Sequence, residues 1–158
     1  MKTHWMAVLA MAAQLVLTGT AQGAAADIVV RSVKGEFKDV KERVVQAIEE
    51  KGLVINYTAR IGAMLERTGK DVGAAQRIYN DAELLEFCSA TVSRGAMEAD
   101  PQHIVYCPYG IAVYTLPKSP GQVAVSYRKL GASGTGRSQK ALAAVDKLLA
   151  DIVAAALK

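Results

Sequence analysis

The run Glu86–Pro117, EFCSATVSRGAMEADPQHIVYCPYGIAVYTLP, constrains the fold more than any other stretch of this chain. It divides into strand, helix and strand. An extended apolar segment, Ala82–Cys88, ends where Ser89 stands in the position of a helix N-cap, since its side-chain oxygen can accept a hydrogen bond from the first helical turn. The helix runs to Ala99 and stops at Asp100-Pro101, because proline disfavours helical geometry in the residue before it. Tyr109–Leu116 then follows as an extended segment. Both cysteines, Cys88 and Cys107, lie in this run, as does His103, one of two histidines in the chain.

The rest of the chain supplies sheet and helices to match. Asp27–Lys34 is alternating and β-branched, and reads as a strand. Phe37, Val40, Val44, Val45 and Ile48 recur at helical spacing, with Lys38, Lys41, Glu42, Gln46 and Glu49 on the other face. Gly52 sits where a helix is expected to have ended, and Leu53–Arg60 reads as a second strand. Ile61–Gly73 is a short helix interrupted by glycines, and its apolar Ile61, Met64, Leu65 and Val72 are expected to pack into the core, with the rim of a pocket as the alternative. Tyr109–Leu116 and Gln122–Arg128 are strands joined by Pro117-Lys118-Ser119-Pro120-Gly121, a hairpin-like loop. Ser138–Leu157 closes the chain as an amphipathic helix with Leu142, Val145, Leu149, Ile152, Val153 and Ala156 on its buried stripe. Helices that each need one covered face predict an α+β fold. Its form is a two-layer sandwich of one mixed or antiparallel sheet, with helices mainly on one face.

Residues 1–26 read as a targeting segment. Lys2 precedes a mostly apolar run, Trp5–Thr18, too short to span a bilayer stably. Small residues after it place signal cleavage after Gly23 or Ala26. Cleavage removes Lys2, so 19 basic residues become 18 against 15 acidic ones and the net charge falls from +4 to +3. That mild excess, scattered among acids, excludes a nucleic-acid footprint. About 130 residues remain (27–158), the size of one domain with one core. The expected location is the periplasm or the exterior, where disulfides persist.

Three groups of residues could carry chemistry. Cys88 sits at a strand-to-helix junction, where a helix N-terminus favours thiolate. If the next strand begins at Cys107 and runs parallel, the two cysteines lie at opposite ends. The link His103–Tyr106 could instead carry the chain back. A structural disulfide, two separate buried thiols, and a redox, metal or haem role for Cys88, His103 and Cys107 all remain open. No C-x-x-C or C-x-x-C-H occurs, and two cysteines with one histidine fall short of a zinc set. His103 by itself is expected at the surface. Gly131–Ser138 nearly fits a phosphate-binding loop, but Arg137 replaces its lysine and no later strand can supply a magnesium-binding acid. It is expected to be a flexible loop leading to a Ser138 cap. Six tyrosines (57, 79, 106, 109, 114 and 127) form the third group. Tyr106, Tyr109 and Tyr114 flank Cys107 and could line a pocket, although tyrosine is common in strands.

Glu86-Phe87-Cys88, a helix, Asp100-Pro101, then Cys107-Pro108 opening a strand that ends in Val113-Tyr114 resembles the domain-of-unknown-function 302 family. Ser89-Ala90 stands where that family often has Asn-Pro, and Cys-Pro replaces its Pro-Cys. Ile61–Thr68 resembles an exported branch. The resemblance implies a compact α+β fold and little about activity. No Ser-His-Asp set or glycosidase-like acid pair is evident, so the chain reads as a non-enzymatic exported domain. It would bind a small molecule, or serve as an accessory, around Cys88, Met97, His103, Cys107 and Tyr109, with no cofactor expected. The alternatives are a redox or haem protein using the same residues and a structural partner of an envelope complex.

Overall fold

Apolar alternation becomes strand at five places: β1 (Ile28–Lys34), β2 (Ile55–Ala59), β3 (Asp81–Phe87), β4 (Tyr109–Thr115) and β5 (Gln122–Arg128). Helical spacing becomes helix at α1 (Phe37–Glu49), α2 (Ile61–Thr68), α3 (Ala90–Ala99) and α4 (Gly136–Ala156). Short 3-10 turns occupy Lys70–Val72, Pro101–Tyr106 and Gly131–Ser133. The structure, a computed structural model, describes residues 28–74 and 76–158. The signal-peptide expectation falls on residues 1–26, outside the described residues.

The strands form one antiparallel sheet in the order β1-β5-β4-β3-β2. Side chains alternate across a strand, so β4 turns Tyr109, Ile111 and Val113 to one face and β5 turns Val123, Val125 and Tyr127 to the same face; all six are buried. Val40, Val44, Ala47 and Ile48 of α1 meet them there, as do Leu142, Val145, Leu149, Ile152, Val153 and Ala156 of α4. The result is the α+β sandwich of one sheet and a helical layer that the periodicity predicts. Gly52, at φ 71°, takes the left-handed conformation that lets the chain leave α1.

Three boundaries differ from expectation. β3 stops at Phe87, leaving Cys88 just outside it, and β2 is shorter than Leu53–Arg60. α4 begins two residues before Ser138. The larger correction concerns α2, which contributes no buried residue: Met64 is 39% exposed and Val72 beyond the helix 75%. α2 lies against β3, with Gly62 so close that an added Cβ would stand 2.8 Å from the Ala82 nitrogen. Gly62, Leu65 and Val72 line a cavity of about 380 Å³ instead of joining the core.

Candidate functional site

The two cysteines meet because of the sheet register. β3 and β4 are antiparallel, with Phe87 opposite Tyr109. Cys88, one residue past β3, and Cys107, two before β4, therefore leave the same end of the sheet. Of the two arrangements that the sequence leaves open, this is the one in which the His103–Tyr106 link carries the chain back. The reason lies at Asp100-Pro101, which ends α3 but does not end helical structure. Pro101 opens the 3-10 turn Pro101–Tyr106, where its missing N–H costs nothing. The Asp100 carboxylate caps that turn by accepting from Gln102 N at 2.9 Å. The turn returns the chain, and β4 is entered at the end that β3 left, through a cis Cys107–Pro108 peptide.

Both thiols are half-buried, with no bond between them in this structure. Burial pushes the Cys88 thiol up to about 11, and the hydrogen bond and charge of the neighbouring Cys107 add to the shift. Ser93 Oγ stands 3.7 Å from Cys107 Sγ and donates to the Tyr109 hydroxyl at 3.1 Å. Tyr109 is buried, edge-on to Phe87 at 6.5 Å between ring centres, and burial raises its hydroxyl above the ordinary tyrosine range. Ser93 lies one helical turn after Ser89 and so on the same face, a spacing visible in the sequence. Ser89 itself is the cap expected: its Oγ accepts from Val92 N at 3.3 Å.

A high thiol pKa has a pH signature. The folded chain holds the Cys88 proton to about 11, while in the unfolded chain it ionises near its ordinary value, about 8.5. The reduced protein is therefore expected to lose stability as pH rises from about 9 to 11, with no contribution at lower pH, where both states hold the proton. Thermal melts of reduced wild type and Cys88→Ser across that range should diverge, the wild type falling faster. Equal slopes would contradict the assignment.

His103 is buried rather than at the surface. Its Nδ1 lies 2.8 Å from the Ala96 carbonyl oxygen and its Nε2 2.7 Å from Ser138 Oγ. A carbonyl can only accept, so Nδ1 carries the proton and Nε2 accepts from the Ser138 hydroxyl, an assignment made from the partners. Both nitrogens are thus engaged in tying α3 to the start of α4, which leaves neither for a metal or haem iron while these bonds hold. Met97 is half-buried beside Ala96. Among the described residues, no group of three or more His, Cys, Asp or Glu side chains is placed to hold a metal ion. Ser138 is a bonding partner inside α4 rather than its cap; Thr135 takes the cap position without a side-chain bond.

The Gly131–Ser138 segment is likewise held internally. Asp146 accepts from Leu130 N at 2.6 Å and Gly131 N at 2.8 Å, so a carboxylate already occupies those amides. Arg137 donates to the Glu98 carbonyl. A cavity of about 310 Å³ opens on the sheet face opposite α1 and α4, lined by Leu84, Glu86, Gly110 and Arg128 and reaching Tyr106, Pro108 and Tyr109 next to Cys107; Cys88, Met97, His103 and Cys107 are not among its lining residues. Tyr114 lies elsewhere, edge-on to Tyr79 at 5.5 Å.

An antiparallel sheet with a helical layer, and a cysteine at each end of an inserted α3 connection, defines the class of this protein. The model of the family described as "Domain of unknown function DUF302" matches residues 28–157, and the chain belongs to that family. Its fold is similar to the crystal structure of an uncharacterized conserved DUF302 protein from Bacillus stearothermophilus. The TM-score is 0.68 at 15% identity, over 83% of this chain and 98% of that one. No curated protein matches the sequence.

Proposed function

We propose that this DUF302 chain is an exported accessory domain that binds a small molecule and carries out no reaction of its own. In this reading the ligand sits in the cavity of about 310 Å³ on the sheet face opposite α1 and α4, and a Cys88–Cys107 disulfide formed after export fixes its wall. The observation that carries the reading is the adjacency of the thiol pair to Tyr106, Pro108 and Tyr109, which bracket Cys107 and line that cavity. The volume lies at the lower end of the usual range for ligand sites, about 300–1,000 Å³. Oxidation removes one proton from each thiol and two electrons from the pair, taken by a thiol–disulfide exchange partner of the compartment. A thiol held at high pKa is a poor leaving group, which favours a lasting staple over a shuttling redox couple. Native mass spectrometry of protein purified from the export compartment tests the ligand. A stoichiometric low-mass compound, released on denaturation, is the expected result. A bare chain mass with an empty extract would overturn the reading.

A further inference from the structure

β2 and the helix that follows it form a groove along one edge of the sheet. β2 stands at the end of the strand order and pairs with β3 alone. On its free side, alternate residues turn N–H and C=O groups outward, a template for another extended chain. Proteins usually blunt such an edge with lysine, proline or charge. The opposite edge, β1, carries Arg31 and Lys34, whereas β2, Ile-Asn-Tyr-Thr-Ala, carries none of these. Its one irregularity lies between Ile55 and Tyr57, so Tyr57–Ala59 stays in regular register. Tyr57 and Ala59 pair with Glu86 and Leu84, on the side of the sheet that α2 overlies at Ala82.

α2 supplies the second wall. Arg60, Ala63, Met64 and Arg67 follow one another at i, i+3, i+4 and i+7, so they share one side of the helix. All four are exposed, and with Tyr57–Ala59 they line a cavity of about 650 Å³. Its charge is of one sign. Among the described residues no acid lines it. Glu66, the one acid of α2, is bonded to Arg77 at 3.0 Å on the other flank of the helix. Among the described residues neither Arg60 nor Arg67 takes part in an ion pair.

We propose that this groove binds an extended acidic segment of a partner protein, added beside β2 as a sixth strand. Main-chain bonds to the β2 edge supply affinity, and the side chains of alternate residues supply specificity. Carboxylates of the segment meet Arg60 and Arg67, and an apolar side chain between them rests on Tyr57 and Met64. The two arginines lie roughly 10 Å apart along α2. An acid-x-apolar-x-acid pattern in a strand spans roughly 13 Å between its acids, within reach of two long flexible side chains. None of these residues lines the cavity assigned to the small ligand, so the proposal stands apart from that reading.

Fluorescence anisotropy with a labelled peptide, Ser-Asp-Thr-Val-Thr-Asp-Ser, tests it on the purified protein. A Kd below about 100 µM is expected. The double variant Arg60→Glu/Arg67→Glu should weaken binding at least about tenfold, as should asparagine in place of both peptide aspartates. Both arginines are exposed, and an unchanged melting temperature shows that the variant is folded. Methylated peptide amides separate strand addition from plain charge attraction. Methyl groups on the alternate amides that face β2 should abolish binding, while those on the other set should leave it within about twofold. Equal effects of the two sets would overturn the proposal, as would no binding at about 1 mM peptide or an arginine variant that binds like wild type. Self-association of the wild type that the arginine variant loses would give the groove to a second copy and overturn it as well.

Discussion

If Cys88 and Cys107 form the proposed disulfide after export, reducing it is expected to lower stability by about 3 kcal/mol. The two cysteines enclose 18 residues, and in the chain-entropy account a loop of that length constrains the unfolded state by about this much. The effect acts on the end of the sheet where β3, α3 and β4 meet, so loosening the bond frees the Tyr106–Gly110 wall of the cavity. Urea unfolding with and without reductant measures it, and the double variant Cys88→Ser/Cys107→Ser should match the reduced protein. Unchanged midpoints in both comparisons would contradict the staple.

Phe87→Ala is expected to cost about 3–5 kcal/mol, the range for truncating a fully buried aromatic. Phe87 has no exposed surface and packs edge-on against Tyr109. Its loss leaves a void directly behind the thiol pair and removes the partner that orients Tyr109 toward Ser93. Val72→Ala, at a position 75% exposed, should change stability by no more than about 0.5 kcal/mol. Equal effects at the two positions would contradict the division between the core and the α2 region.

Much of this fold is legible in residue spacing. The period-two runs of β4 and β5 and the stripe of α4 specify both layers of the core, since burial of one face enforces that periodicity. Pairing across α3 is another matter. A helix between two strands suggests a parallel crossover, and only the 3-10 turn at Pro101 reverses that reading. Pro101 ends one helix and opens another turn, and local sequence does not distinguish these outcomes. His103 looked like a surface residue because its partners lie at Ala96 and Ser138, 7 and 35 residues away. Ser138 carried a plausible local explanation as a cap, which concealed its long-range one. The α2 residues have helical apolar spacing, yet the helix packs mainly against β3 and buries none of its residues fully. Cys88, Cys107 and Tyr109 were marked by the sequence and are brought together. Met97 and His103 sit on neighbouring structure with other tasks.

The central proposal, that Cys88 and Cys107, left at one end of the sheet by the β3–β4 register, become bonded after export, is tested most directly by thiol titration with intact and peptide mass spectrometry. The sample is denatured, unreduced protein from the export compartment. The account predicts no free thiol, a mass lower by two hydrogens, an N-terminus following Gly23 or Ala26, and one linked peptide joining Cys88 to Cys107. Two free thiols would contradict it.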